Sequence, residues 1–87
     1  MRDLFSTPQF EKDLAKTPRE VRSRADNTIS ILREDPLAHT LNLKKLKGFT
    51  PSVYRVRIGS YRLAYSFTKT TLTLHRFRHR KDIYRSL

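Results

Sequence analysis

Basic side chains suited to holding a phosphate are concentrated in the second half of the chain. Arg55 and Arg57 lie two residues apart, Arg62 follows in the next segment, and residues 76–81 (Arg-Phe-Arg-His-Arg-Lys) add a dense basic run. Charges on alternating strand positions are often simply solvated, but three like charges on neighbouring strands repel one another, which favours an anion between them. These residue types and spacings indicate phosphate binding, with nucleic acid as the leading candidate ligand.

The net charge is concentrated in the same half of the chain as these basic residues. The chain has 19 Lys and Arg against 8 Asp and Glu, a formal net charge of +11. Residues 1–43 contain seven basic and seven acidic residues, whereas residues 44–87 contain twelve basic residues and one acidic residue, Asp82. Such a surplus repels itself in the folded state, which predicts a polyanion or an acidic protein as partner.

Length and composition exclude several other classes. The 87 residues are enough for one small domain, and five Phe, four Tyr and a hydrophobic share of 37% provide one core. There is no cysteine and the three histidines are scattered, so disulfide frameworks, thiol nucleophiles and zinc sites are excluded. The N-terminal segment lacks the apolar run of a signal peptide, and no apolar stretch reaches roughly 20 residues. We therefore expect a cytoplasmic protein with no membrane partner.

A short strand and a helix are predicted at the N-terminus. Residues 2–6 can form the strand, and Thr7 with the proline after it supplies a capping hydroxyl and an N1 proline. A helix over 8–16 follows, with Phe10 and Leu14 on one face.

The same capping signal predicts a second helix. Thr17 precedes a proline, and Glu20 completes a capping box three residues later. The helix must end by Asp35, because the proline that follows disfavours helical geometry in the residue before it. Its apolar face comprises Val21, Ala25, Thr28, Ile29 and Leu32. Residues 36–51 fit neither period and are expected to be a partly ordered connector.

The remainder of the chain predicts a meander of strands over 53–58, 61–67 and 71–77. Alternation places Arg55 and Arg57 on one face of the first strand, and Arg62 on the face opposite Leu63 and Tyr65. The fold class is therefore α+β with the order β-α-α-β-β-β, an antiparallel sheet packed against an N-terminal helical hairpin. Packing the helices on the apolar face leaves the arginines open to a ligand.

Three segments together resemble the RelE/ParE superfamily of toxins from type II toxin–antitoxin systems. They are Leu46-Lys47-Gly48, residues 54–65 (Tyr-Arg-Val-Arg-Ile-Gly-Ser-Tyr-Arg-Leu-Ala-Tyr) and residues 79–84 (His-Arg-Lys-Asp-Ile-Tyr). Residues 10–14 are also similar to the first helix of that family. The resemblance covers nearly the whole chain, which implies one RelE-like domain over residues 1–87.

This resemblance carries functional expectations. The RelE branch of the family cleaves messenger RNA in the ribosomal A site without a metal or other cofactor, whereas the ParE branch inhibits DNA gyrase and is not a nuclease. Either branch implies a cognate antitoxin, acidic and encoded in the adjacent gene, and a toxin–antitoxin heterotetramer. The RelE branch adds mRNA and the ribosome, with its 16S rRNA, as partners.

The resemblance also assigns roles to residues. The two basic positions of the first hairpin strand fall on Arg55 and Arg57, where family members often have lysine, so that proton donation is harder here. The remaining matched basic positions are Arg62 and Arg78, and the C-terminal tyrosine is Tyr84. Substrate contacts from the basic run are expected at Arg80 and Lys81, and His79 is a rival to the tyrosine as proton carrier.

RNA cleavage needs a base for the 2′-OH, positive charge around the phosphorane, and an acid for the 5′-oxygen. Arginines supply the charge, and nearby positive charge favours the phenolate form of Tyr84, which can then act as the base. Imidazole is the side chain best suited to proton transfer near neutral pH, so His79 is the other candidate. For Tyr84 the alternative is a structural role at the edge of the core. For the whole protein the alternatives are a gyrase inhibitor and a non-catalytic basic binding module. A gyrase-binding protein has no chemical need for Arg78 with Tyr84, so the pair favours the nuclease.

Overall fold

A computed structural model describes residues 1–87 and contains five strands and three helices. In chain order they are β1 (Asp3–Ser6), α1 (Pro8–Ala15), α2 (Arg19–Glu34), β2 (Leu43–Lys45), β3 (Tyr54–Ile58), β4 (Tyr61–Phe67), β5 (Thr71–His79) and α3 (Ile83–Ser86). The α+β class is confirmed, and β2 and α3 are additions to the predicted order. None of the helices has the length and apolar character needed to span a membrane.

The strands form one sheet in the order β1-β5-β4-β3-β2. The meander from β3 to β5 is antiparallel, as predicted; the unpredicted β2 extends it as an antiparallel strand beside β3, and β1 adds a parallel edge strand beside β5. A hairpin turn would make two strands antiparallel, but β1 and β5 are not joined by one. The direction of β1 relative to β5 is set by the long stretch of chain between them, which includes α1 and α2.

The predicted helix caps are half correct. Thr7 caps α1, its Oγ1 accepting a hydrogen bond from the Phe10 amide at 3.0 Å. Thr17 does not cap α2, whose N-cap is Pro18 without a side-chain bond. The Thr17 hydroxyl is instead buried and donates to the Asp13 carbonyl at 2.8 Å. The link between the helices is so short that this hydroxyl closes the end of α1.

The core lies between the two long helices and one face of the sheet. Its aromatic centre is Tyr65, which is fully buried and donates its hydroxyl to the Pro36 carbonyl at 2.6 Å. The buried cluster comprises Phe10, Ala25, Ile29, Leu32, Val56, Ile58, Leu63, Tyr65, Leu72, Leu74 and Phe77. Tyr61 is partly buried and packs at the edge of this cluster.

A bulge in β5 changes which of its side chains face the helices. Tyr65 pairs with Leu74, but the next pair is Ala64 with Arg76, which leaves His75 as an extra residue. Side chains alternate along a strand, so one extra residue exchanges the faces of everything beyond it. Phe77 thereby enters the core, and the arginines on either side of it turn to the opposite face.

The face of the sheet away from α1 and α2 is partly covered. The predicted connector contains turns and the strand β2, and its Leu46 is buried. After β5 the chain turns into α3, where Ile83 is fully buried. A helix of four residues is too short to show a periodic pattern, which explains why it was not predicted.

Candidate active site

Three arginines form a row across the central strands on the face away from the long helices. Arg57 of β3 lies opposite Arg62 of β4, which lies opposite Arg78 of β5. The turn between β3 and β4 sets the first pairing, and it uses Gly59 at a positive φ of 60°. Adjacent strands are about 4.8 Å apart, so the three arginines are direct neighbours on this face of the sheet.

A second row runs beside the first. Register places Lys44 of β2 opposite Arg55, which lies opposite Ala64, which lies opposite Arg76. The Nε and Nη1 atoms of Arg55 are buried and have no hydrogen-bond partner. Buried donors without acceptors are costly, and an anionic oxygen would satisfy them. Arg55, Arg57, Arg62 and Arg78 are called the arginine face below.

Arg62 is the most buried member of the arginine face, with 6% of its surface exposed. Its Nη1 donates to the carbonyls of Gly59 at 3.1 Å and Tyr61 at 2.9 Å. Burial lowers the pKa of Arg62, and the neighbouring Arg57 and Arg55 lower it further. A guanidinium stays protonated in spite of this. The environment of Arg62 therefore disfavours its charge and would gain from a bound anion.

The ion pairs of the chain converge on one carboxylate, Asp13 of α1. Arg76 binds it through two nitrogens at 2.8 and 3.1 Å, and the Arg78 Nε lies 4.0 Å away. The Phe77 amide also donates to Asp13, at 3.0 Å, so this carboxylate closes the edge of β5 beyond β1. Arg55, Arg57 and Arg62 have no carboxylate partner. Their charge remains available to a ligand.

The short helix α3 presents Tyr84 beside the arginine face. Buried Ile83 anchors this helix, and Arg78 ties it to β5 through a 3.0 Å hydrogen bond from Nη1 to the Ser86 hydroxyl. Tyr84 itself is 56% exposed. It lies near enough to Arg62 that its negative form raises the pKa of that arginine. Tyr84 therefore stands where a group acting on a bound phosphate is needed.

Tyr84 also lines a cavity of about 360 Å³. The other lining residues are Lys44, Leu46, Lys47, Phe49 and Leu87. Lys44 is thus connected to the arginine face by its register with Arg55, and to Tyr84 by this cavity.

The other residues expected in the site lie at its border or outside it. His79 pairs with Tyr61 on the face that packs against the helices, and their rings meet edge to face with centroids 5.7 Å apart. Its Nδ1 accepts from the Lys81 amide at 3.2 Å. Arg80 is exposed but acts electrostatically on Arg62. Lys81 is exposed in the turn after β5.

The bulge residue His75 forms a separate polar pair. Its Nε2 lies 2.7 Å from the Ser66 hydroxyl, and burial lowers the pKa of the imidazole. His39 is exposed in the connector. No three His, Asp or Glu side chains converge to form a metal-binding group.

Comparison with known proteins identifies the family. Residues 4–84 match the family model described as the ParE toxin of the type II toxin–antitoxin system, parDE. The chain belongs to the RelE/ParE family of toxins. It is also 35% identical over 86 residues to Toxin RelE3 of Methanocaldococcus jannaschii, an alignment that covers 97% of this toxin and 96% of the relative.

Solved structures of relatives share the fold. The RelB-RelE antitoxin–toxin complex from Methanococcus jannaschii matches with a TM-score of 0.79 and 31% identity, covering 95% of this toxin and 98% of that chain. The RelE-RelB complex from Pyrococcus horikoshii OT3 matches with a TM-score of 0.78 and 24% identity, covering 91% and 94%.

The structure brings most of the predicted site residues of this toxin together. Arg55, Arg57, Arg62, Arg78 and Tyr84 lie on or beside one surface, whereas His79 and Lys81 do not. The sequence interpretation missed Lys44 and Asp13. The run Leu-Lys-Lys-Leu-Lys around Lys44 has no clear period, and only the pairing of β2 with β3 shows which lysine faces the arginines.

Proposed function

We propose that this toxin is an endoribonuclease that cleaves mRNA in the ribosomal A site and so inhibits translation. The observation that carries this proposal is the convergence of Arg55, Arg57 and Arg62, all without carboxylate partners, beside the exposed Tyr84. The relative named Toxin RelE3 supports the RelE branch of the family.

The arginine face supplies the electrostatic part of the chemistry. The exposed Arg57 binds the phosphate oxygens, and Arg55, whose Nε and Nη1 atoms are buried without a partner, adds positive charge beside it. The guanidinium of Arg62 already donates hydrogen bonds to two backbone carbonyls, so it provides fixed positive charge beneath the bound phosphate. Charge arranged before the reaction stabilises the developing phosphorane without reorganisation. RNA rather than DNA is the substrate, because the nucleophile is the 2′-OH.

Tyr84 is the base in this proposal. It lies beside the arginine face, close enough to Arg62 to interact with it electrostatically, and its hydroxyl group accepts the 2′-OH proton. His79, the rival, points to the helix-facing side of the sheet with Tyr61. A proton carrier there would have to act through the sheet, so its placement favours Tyr84.

We also propose that an acidic antitoxin neutralises the toxin. The chain has a formal charge of +11 and only two ion pairs, both to Asp13, so most of its basic groups are free for an acidic partner. A relative that is 31% identical and was crystallised as a RelB-RelE complex supports a partner of this kind.

Inhibition of DNA gyrase is the second candidate function. It is favoured by the family model that matches, which is described by its ParE member. A gyrase-binding surface needs shape and charge but no group poised to accept a proton. The position of Tyr84 beside Arg62 therefore argues for cleavage.

Primer extension on mRNA from cells that express the toxin separates the two functions. The proposal predicts new 5′ ends within translated frames for the wild type and none for Arg57→Ala, with Lys69→Ala in the β4–β5 turn as a charge-matched control that still cleaves. Intact mRNA together with loss of gyrase supercoiling activity would overturn the proposal.

A further inference from the structure

The proposed function leaves one chemical requirement without a residue. Departure of the 5′-oxygen requires a proton, because an alkoxide is a poor leaving group. Tyr84 serves as the base, and guanidinium groups hold their protons too tightly to serve as acids near neutral pH. The arginine face alone therefore does not supply the acid.

Lys44 is the lysine that the pairing of β2 with β3 places beside the arginine face. It lies directly opposite Arg55, on the strand beside β3. It lines the same cavity as Tyr84, which in turn acts electrostatically on Arg62. A phosphate bound against Arg55 and Arg57 would thus have Lys44 on the neighbouring strand, and Lys44 shares its cavity with Tyr84.

Other proton donors are less well placed. Lys45 follows on the same strand and pairs with Tyr54, whose side chain packs against the core, so alternation turns it to the opposite face. His75 is bound to Ser66 and lines a different cavity, and burial lowers its pKa, which keeps it neutral. Lys47 lines the Tyr84 cavity but lies in the turn beyond β2, outside the paired register.

We propose that Lys44 is the general acid of the cleavage reaction, an inference that rests on the proposed function. Tyr84 accepts the 2′-OH proton, and the 2′-oxygen forms a bond to phosphorus. The bond between phosphorus and the 5′-oxygen breaks, and that oxygen takes a proton from the Lys44 ammonium. The products are a 2′,3′-cyclic phosphate and a free 5′-OH.

A sulfur-substituted substrate tests this assignment. The cleaved linkage, first located by primer extension, is rebuilt in a synthetic ribosome-bound mRNA with sulfur in place of the bridging 5′-oxygen. A thiolate leaves without a proton, so this substrate bypasses the acid. Lys44→Arg keeps the charge but cannot donate a proton at neutral pH. Lys45→Arg, on the same strand and opposite face, is the matched control, and circular dichroism verifies folding.

The expected result is a cleavage rate about a hundred-fold lower for Lys44→Arg on the oxygen substrate. On the sulfur substrate this variant should match the wild type, and Lys45→Arg should match it on both. Full activity of Lys44→Arg on the oxygen substrate would overturn the assignment, and so would a loss of activity that persists on the sulfur substrate. If Lys47→Arg instead loses activity on the oxygen substrate and recovers it on the sulfur substrate, the assignment to Lys44 is also overturned. A wild type that cleaves neither substrate would overturn the proposed function, and the assignment with it.

Discussion

Arg62 and Arg78 are direct cross-strand partners on β4 and β5, yet only Arg78 has a carboxylate within 4.0 Å. Arg62 is held instead by two backbone carbonyls and is nearly buried. Like charges opposite one another destabilise a sheet. Arg57 and Arg55 are the neighbours that lower the pKa of Arg62, so without a ligand this part of the arginine face carries a repulsion that a phosphate would relieve.

Removing one charge from this row should stabilise the toxin. Arg57 is exposed, has no ion pair and lies opposite Arg62, so Arg57→Gln is expected to raise the free energy of unfolding by about 0.5 kcal/mol at low salt. The gain should shrink at high salt, because screening weakens exposed repulsions. Urea unfolding at two salt concentrations measures both effects. Lys69→Gln is the control, and no gain at low salt would show that the row is not strained.

Asp13 should be worth far more to stability than any exposed carboxylate. Asp13→Asn removes the charge that binds Arg76 and Arg78 at the edge of β5, and we expect a loss of about 3 kcal/mol. Thermal unfolding compared with Asp26→Asn, an exposed site on α2, measures the difference. A loss no larger than that of the control would mean that the pairs to Asp13 do not hold α1 to the sheet.

His75 should make stability depend on pH below neutrality. Burial lowers the pKa of the folded-state imidazole below its usual value of about 6.5, so the unfolded chain binds the proton at a higher pH than the folded chain. The free energy of unfolding should then fall as the pH drops from about 7 through 6.5 toward the folded-state pKa.

Urea unfolding between pH 7.5 and about 5.5 tests this dependence with two variants. His75→Gln should flatten the slope, whereas His39→Gln, at an exposed site, should leave it unchanged. Equal slopes for the wild type and His75→Gln would contradict the role assigned to burial.

Local rules were sufficient to predict much of the arginine face. Alternation in β3 places Arg55 and Arg57 on one side, and the two-residue turn at Gly59 sets the register that brings Arg62 opposite Arg57. Both features depend on neighbours in the sequence, so the first two strands of the site could be derived from the sequence.

The position of Arg78 required tertiary information. A regular pairing of β4 with β5 would place Phe77 opposite Arg62 and turn Arg78 toward the helices, and the bulge at His75 reverses this. A signal was present, because the buried positions Leu72, Leu74 and Phe77 break the two-residue period. The family resemblance identified Arg78 without that step.

Lys44 and α3 were beyond sequence reasoning for a different reason. The strand β2 has three residues and α3 has four, and elements this short are stabilised by the surface on which they pack rather than by their own propensities. The neighbours of Tyr84 therefore become known only when the sheet and its covering segments are assembled.

The central claim is that Tyr84 moves a proton during RNA cleavage on the arginine face. Single-turnover cleavage of ribosome-bound mRNA by the wild type, Tyr84→Phe and His79→Ala from pH 5.5 to about 9 tests it most directly. We predict a loss of about a hundred-fold or more for Tyr84→Phe, a far smaller loss for His79→Ala, and a wild-type rate that still climbs above neutral pH. A fully active Tyr84→Phe beside an inactive His79→Ala, with a rate that levels off above about pH 7, would contradict the account.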